Sequence, residues 1–156
     1  MAKQIFPLSA LTLTCCLLLS AGCGGGREKP KDLPPLHPGT LTFEQEGVPL
    51  GDAHIILHSD SKWAVSGRTN EKGEVKLVTG GFYDGVPEGT YKIIVRKSVV
   101  VEDETTGNTI RRTNVVAPQF TQANTTPLEI EIVKGRNSQT FDLGKAVSVN
   151  VPVERN

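Results

Sequence analysis

The sequence predicts an all-β protein, an antiparallel Greek-key β-sandwich of about seven strands. Two observations point to this class. Glycine and proline, at 16 and 10 of 156 residues, are too frequent for long helices. From Thr40 onward, apolar residues alternate with polar ones in short segments, which is typical of antiparallel strands that bury one face. A signal peptide and a flexible linker are predicted to precede this domain.

Each strand is predicted from a short segment in which apolar and polar residues alternate. The apolar residues of these segments form the predicted core. Segments rich in Gly, Asn, Asp and Pro separate the strands as turns. The predicted domain spans residues 40–143, and valines of the same parity predict a strand extension or a tail over residues 144–156. The expected core positions are Leu41, Phe43, Ile55, Leu57, Val75, Leu77, Tyr91, Ile93, Val95, Leu128, Ile130, Ile132, Phe141 and Leu143.

The first 22 residues have the pattern of a secretory signal peptide. Lys3 supplies a positive charge, and a 12-residue apolar run extends from Leu8 to Leu19. An uncleaved membrane anchor is the alternative. A spanning helix needs about 20 apolar residues, however, and extending the run to residues 5–22 would include Pro7.

This segment ends in Leu19-Ser20-Ala21-Gly22-Cys23, which resembles the lipobox of bacterial lipoproteins. In that family a small residue precedes a cysteine whose thiol receives diacylglycerol, and cleavage occurs before the cysteine. The leucine usual three positions before the cysteine is Ser20 here, with Leu19 one position further back. The resemblance implies that residues 1–22 are removed and that acyl chains on Cys23 hold the protein on a membrane. The alternative is an ordinary signal peptide with an unmodified Cys23.

Residues 23–39 are predicted to form a tether. They contain glycines, charged residues and four prolines, a composition that neither packs a core nor forms a helix. A flexible chain of this length reaches roughly 22 Å. In the lipoprotein family an Asp after the lipidated cysteine signals inner-membrane retention, so Gly24 at that position favours the outer membrane.

Three motifs of the domain resemble those of carboxypeptidase regulatory-like domains. Residues 43–57 read F-E-Q-E-G-V-P-L-G-D-A-H-I-I-L, like the family's G-x-P-L-x-G-A-x-V-x-L opening. Residues 67–75, G-R-T-N-E-K-G-E-V, resemble the T-D-x-x-G-x-F hairpin, and residues 87–93, P-E-G-T-Y-K-I, match P-x-G-x-Y-x-V. The motifs follow the family's order, and the resemblance extends over Leu41 to Leu143, with an ending like that of small envelope lipoproteins of planctomycete-like bacteria. It implies a prealbumin-like (transthyretin-like) sandwich without catalytic residues of its own. No cofactor is expected.

The turn of the second motif has a physical basis. We expect Gly73 to supply a positive φ angle and Asn70 to hydrogen-bond nearby backbone groups in place of the family's Asp. Gly89 is expected to let the chain enter the Tyr91 strand.

Several residue sets that could suggest an enzyme or a metal site have simpler interpretations. On a strand, His54 and His58 lie about 13 Å apart and cannot share one ion. Glu129 and Glu131 share one strand face without a third group, which indicates a solvated surface. The sequence contains no G-x-S-x-G elbow, and no cysteine remains as a nucleophile once Cys23 is acylated. These patterns predict no catalytic activity and no metal.

Residues 96–112 form the candidate interaction surface, a predicted hairpin with an acidic tip and basic flanks. A solvated loop is the alternative, because charges that bracket a β-branched run also prevent aggregation at a sheet edge. The charged residues of this candidate hairpin are Arg96, Lys97, Glu102, Asp103, Glu104, Arg111 and Arg112.

The function expected from these features is that of a lipid-anchored cell-envelope protein whose non-catalytic domain binds a partner or gives structural support. The expected partners are the membrane, through lipid on Cys23, and an envelope protein or glycan. The formal net charge of zero argues against a nucleic acid. The alternatives are a small-ligand or carbohydrate binder, which would need Trp63, Phe82 and Tyr83 in one groove, and an enzyme of a type that the spacings do not reveal.

Overall fold

The computed structural model describes residues 28–102 and 109–151, and it describes only the backbone of residues 101, 102, 109–112 and 151. The chain divides into two compact units, Met1–Leu33 and Pro34–Asn156. In the first, the Leu33 N–H donates to the Pro30 carbonyl at 3.1 Å. The elements below belong to the second.

Short strands account for the regular structure of this second unit. In chain order its described elements are β1 (Leu36–His37), β2 (Gly39–Gln45), β3 (Val48–Pro49), β4 (His54–His58), β5 (Val65–Arg68), β6 (Glu74–Lys76), β7 (Val78–Thr79), β8 (Tyr83–Asp84), β9 (Val86–Pro87), β10 (Gly89–Arg96), β11 (Ser98–Glu102), β12 (Thr109–Asn114), the 3₁₀ turn η1 (Pro118–Thr121), β13 (Glu129–Ile132), β14 (Asn137–Asp142) and β15 (Val149–Val151). The all-β class is confirmed for these residues.

The strands are shorter and more numerous than the seven expected. Gly80, Gly81 and Gly85 have φ angles of 61°, 76° and 103°, which turn the chain out of extended geometry. Next to these glycines the chain forms only the two-residue strands β7, β8 and β9.

The largest sheet has the order β13-β10-β4-β5-β7-β8, and all of its neighbours are antiparallel. A second sheet has β2 at its centre, with β14 on one side and β3 and β6 on the other. A third sheet contains β11, β12 and β15, and β1 pairs with β9.

One strand pair departs from the antiparallel pairing that the sequence predicts. β14 runs parallel to β2, from Asn137 opposite Gly39 to Asp142 opposite Glu44. Alternation identifies a strand and its buried face but not the direction of its neighbour, so the pattern could not anticipate this pair. Phe43 and Phe141 lie opposite each other in it, with stacked rings 5.4 Å apart.

The hydrophobic core contains side chains from both of the larger sheets. Every expected core position is buried except Leu128, which is partly buried against the cluster. Val116, Ala117 and Phe120, from the segment around η1, add to the core although no strand pattern marks them.

The expected Asn70–Gly73 turn is confirmed. Gly73 has a φ angle of 74°, and the Asn70 side-chain oxygen accepts hydrogen bonds from the backbone N–H groups of Lys72 and Glu74 at 2.9 and 3.0 Å. A side chain at Gly73 would collide with the Phe43 carbonyl oxygen. Gly89 has a φ angle of 145°, as the entry into β10 requires.

Residues 34–39, expected to be the end of the tether, belong to the folded unit. Leu36 and His37 pair with Pro87 and Val86 in β9. His37 is held further because its Nδ1 accepts a hydrogen bond from the Gly135 N–H at 3.2 Å, while its Nε2 lies 3.0 Å from a Glu88 carboxylate oxygen.

Candidate functional site

The structure describes the predicted site residues only in part. The predicted lipidation site, Cys23, lies outside the described residues, as do Asp103 and Glu104 of the candidate hairpin. Of Glu102, Arg111 and Arg112 only the backbone is described. β11 and β12 pair as an antiparallel hairpin, with a register shift between Val101 and Glu102. β15 adds to β12, so the hairpin is the first part of a three-stranded sheet.

The base of this hairpin borders a groove with an excess of cations. Arg96 is the last residue of β10, and Lys97 connects it to β11. Together with side chains from four other segments they line a concavity of about 450 Å³, here called the cationic groove. Its lining residues are Asp52, His54, Arg68, Arg96, Lys97, Ser98, Asn114, Thr121 and Gln122.

Strand register builds one wall of the cationic groove. Arg96 on β10 lies opposite His54 on β4, and His54 lies opposite Arg68 on β5. These three exposed residues form a row across the outer face of the large sheet. Arg96 and Arg68 thus lie two strands apart, with His54 between them.

The opposite side of the groove is tied to this wall by hydrogen bonds. Arg96 Nε donates to the Thr121 carbonyl at the end of η1, at 3.3 Å. The N–H of Val115, next to Asn114, donates to the Lys97 carbonyl at 3.1 Å. The groove therefore lies where the large sheet, the hairpin base and the η1 segment meet.

Asp52 is the one acidic residue that lines the groove. Its carboxylate accepts a hydrogen bond from Arg68 at 2.6 Å. That hydrogen bond and the Arg68 charge lower the pKa of Asp52, and the charge of Lys97 acts in the same direction. Among the described residues, no carboxylate forms an ion pair with Arg96 or Lys97. The lining thus holds three cations and one anion, and His54 adds a further N–H donor.

Sequence reasoning identified Arg96 and Lys97 but not their neighbours in the groove. The sequence excluded a metal ion shared by His54 and His58 but gave His54 no role in a groove, and Arg68 belonged only to the second motif. Their parity within β4 and β5 places both on the outer face. That they align with Arg96 depends on strand order and register, which the pattern does not specify.

A second concavity, of about 370 Å³, has a more apolar lining. It lies between the start of the folded unit and the strand that follows Pro87, and the Tyr91 hydroxyl donates to the Pro87 carbonyl at 3.0 Å. Burial raises the pKa of Tyr91. The lining residues are Pro34, Pro35, Ser59, Ser61, Pro87, Glu88, Gly89, Thr90 and Tyr91.

Neither concavity contains the aromatic residues that a carbohydrate binder was expected to use. A methyl group at Gly80 would lie 3.8 Å from the Tyr83 ring and 4.0 Å from the Trp63 ring, so these two rings flank one glycine. Phe82 is 64% exposed. The Lys62 ammonium lies 5.3 Å from the centre of the Trp63 ring.

The described residues contain no group of three His, Cys, Asp or Glu side chains placed to hold a metal ion. His54 and His58 are both exposed at opposite ends of β4. Within residues 28–102 and 109–151, no helix has the length and apolar character to cross a membrane.

Comparisons of the chain with protein-family models, with curated proteins and with solved structures give no match.

Proposed function

We propose that this protein is a lipid-anchored component of a bacterial cell envelope whose single domain binds a partner without catalysis. The observation that carries the proposal is the Leu19–Cys23 segment, where an apolar run ends in small residues and a cysteine. The proposed anchor is lipid on Cys23, and the proposed location is the outer membrane.

The proposed fold of the domain is a Greek-key sandwich of the prealbumin-like type, as in carboxypeptidase regulatory-like domains. The shared core of the two larger sheets and the Asn70–Gly73 turn, which has the geometry expected from the second motif, support this assignment. Such a domain would present its loops and outer sheet faces to a partner.

The composition of the segment that precedes the folded unit is compatible with the anchor. Residues 24–33 contain three glycines and five charged side chains, a composition typical of a linker. The proposed partner of the domain is an envelope protein or a glycan.

The test is Cys23→Ser in a bacterial host that processes lipoproteins. Two or more acyl chains give stable membrane anchoring, so we expect the wild-type protein in the membrane fraction, labelled by palmitate, and the Cys23→Ser protein unlabelled. Cys15→Ser is the matched control, because the proposal removes Cys15 with the signal peptide. Equal palmitate labelling of wild type and Cys23→Ser would overturn the proposal.

The second candidate is a small-ligand or carbohydrate-binding lipoprotein. The observation that favours it is the cationic groove, whose volume of about 450 Å³ lies within the range of ligand sites. In this second candidate function the protein is still anchored by lipid, but its domain binds a small soluble ligand and not a macromolecular partner.

A further inference from the structure

We propose that the cationic groove binds the oxoanion group, carboxylate or phosphate, of a small polyhydroxylated ligand such as an acidic sugar. This inference rests on the proposed binding function and names the class of ligand. It is carried by the juxtaposition of Arg68, Arg96 and Lys97 around one concavity.

The charge of the groove is local and is not a property of the whole surface. The chain has 17 basic and 17 acidic residues, yet the groove lining holds three cations and one carboxylate. That carboxylate, on Asp52, is already engaged by Arg68 at 2.6 Å. An anion entering the groove would therefore meet a net positive field with no unengaged acid in the lining.

The geometry also positions Arg96 to bind an anion. Arg96 and Arg68 lie two strands apart on either side of His54, and Arg68 is already bonded to Asp52 at 2.6 Å. Among the described residues, Arg96 and Lys97 are therefore the groove cations without a carboxylate partner. The bond from Arg96 Nε to the Thr121 carbonyl restrains the guanidinium. Its two terminal nitrogens make no hydrogen bond to the residues that the structure describes, and arginine uses such paired nitrogens to bind carboxylate and phosphate.

The rest of the lining explains why the ligand would carry hydroxyl groups. Ser98, Asn114, Thr121 and Gln122 contribute hydroxyl and amide groups, which both donate and accept hydrogen bonds. The volume of about 450 Å³ is in the range for a ligand of one or two sugar rings. The cationic side chains of the groove suit the acid group of an acidic sugar, and its neutral polar side chains suit the hydroxyl groups.

The experiment is calorimetric titration of the full chain, purified in a neutral detergent at low ionic strength, with four probes. They are glucuronate, glucose 6-phosphate, inorganic phosphate and glucose. We expect glucuronate or glucose 6-phosphate to bind, inorganic phosphate to bind more weakly because it lacks the hydroxyls, and glucose not to bind. Added salt should weaken binding, since exposed charges are screened.

Variants connect the binding to the groove. Removing one charge-assisted hydrogen bond with Arg96→Gln or Lys97→Gln should weaken binding by about tenfold or more. Asp52→Asn, which removes the one acid of the lining, should tighten it. Arg136→Gln is the matched control, because it removes an exposed cation outside the groove and should leave affinity unchanged.

The outcomes separate this inference from the proposed function. If no acidic probe binds at millimolar concentration, or if Arg136→Gln weakens binding as much as Lys97→Gln does, the inference is wrong, while palmitate labelling of Cys23 still decides the anchor. If inorganic phosphate binds as tightly as both acidic sugars, the polyhydroxylated ligand is wrong. Lys97→Gln keeps the test valid if Arg96→Gln does not fold, because the Lys97 side chain makes no hydrogen bond to the described residues that folding would lose.

Discussion

Buried threonines connect the turns of this protein to its strands. The Thr69 hydroxyl donates to the Leu50 carbonyl at 2.6 Å and accepts from the Ala53 N–H at 2.8 Å. Thr79 and Thr126 likewise donate to backbone carbonyls, each at 2.7 Å. Because a buried polar group is costly when unpaired, these hydroxyls satisfy carbonyl groups at places where no strand neighbour reaches them.

We therefore predict that Thr69→Val destabilises the fold although it preserves the shape of the side chain. The variant leaves the Leu50 carbonyl and the Ala53 N–H without their buried partner, which costs about 1–3 kcal/mol. Urea denaturation measures the loss in the free energy of unfolding. Thr40→Val, at an exposed strand position, is the control, with an expected change within about 0.5 kcal/mol. Equal losses in the two variants would contradict this role of Thr69.

The Asp52–Arg68 pair predicts a pH dependence. Its hydrogen bond lowers the pKa of Asp52, so the folded protein binds fewer protons than the unfolded chain as the pH approaches that value. The contribution of the pair to stability is therefore present at neutral pH and is lost as the pH falls through the lowered pKa. We predict that an NMR titration finds the Asp52 pKa below its ordinary value and that Arg68→Gln raises it, while Lys134→Gln does not. An Asp52 pKa that Arg68→Gln leaves unchanged would refute this assignment.

At the scale of elements, the parallel pair of β2 and β14 brings two distant parts of the chain together. Its register places Thr42 opposite Thr140, with Asp142 two residues further along β14. Adjacent strands are about 4.8 Å apart, and two residues along a strand cover about 6.6 Å. A cysteine pair can therefore distinguish this register from its alternatives.

We predict that Thr42→Cys combined with Thr140→Cys forms a disulfide on mild oxidation, because opposed Cα atoms lie within the range that a disulfide spans. Thr42→Cys combined with Asp142→Cys is the control and should form it poorly, since the offset places the Cα atoms beyond about 7 Å. Peptide mapping by mass spectrometry detects the bond. Preferential formation in the control pair would contradict the parallel register.

The sequence predicts which face of each strand is buried better than it predicts which strands pair with one another. Alternation identified Leu41, Ile93 and Val95 as buried residues, because the period of two fixes which side chains share a face. It did not predict that β14 joins β2 in parallel or that Arg68, His54 and Arg96 form one row. Both depend on which strands become neighbours, which is decided by packing over long sequence separations.

The buried residues of the segment around η1 could not be predicted from the sequence either. Val116 and Phe120 belong to the core, but they lie where the chain has neither strand alternation nor a helix long enough to show a period. The signals of Asn70 and Gly73, by contrast, are local, because an Asx turn and a positive φ angle need only neighbouring residues. That turn was predictable from the sequence alone.

At the scale of the whole molecule, the proposed processing changes both charge and cysteine content. Removing residues 1–22 takes away one basic residue, Lys3, and changes the net charge from zero to −1. Of the three cysteines only Cys23 would remain, with its thiol acylated. The mature domain would then have no disulfide, so packing between its sheets must provide its stability.

The central claim is that Cys23 becomes the lipidated N-terminus, and intact mass spectrometry of the protein purified from membranes tests it most directly. The account predicts a chain that begins at Cys23 and carries diacylglycerol, with or without a third acyl chain, and a tryptic peptide in which the lipid is on Cys23. A mature chain that begins elsewhere, or that carries Cys23 as a free thiol, would contradict it.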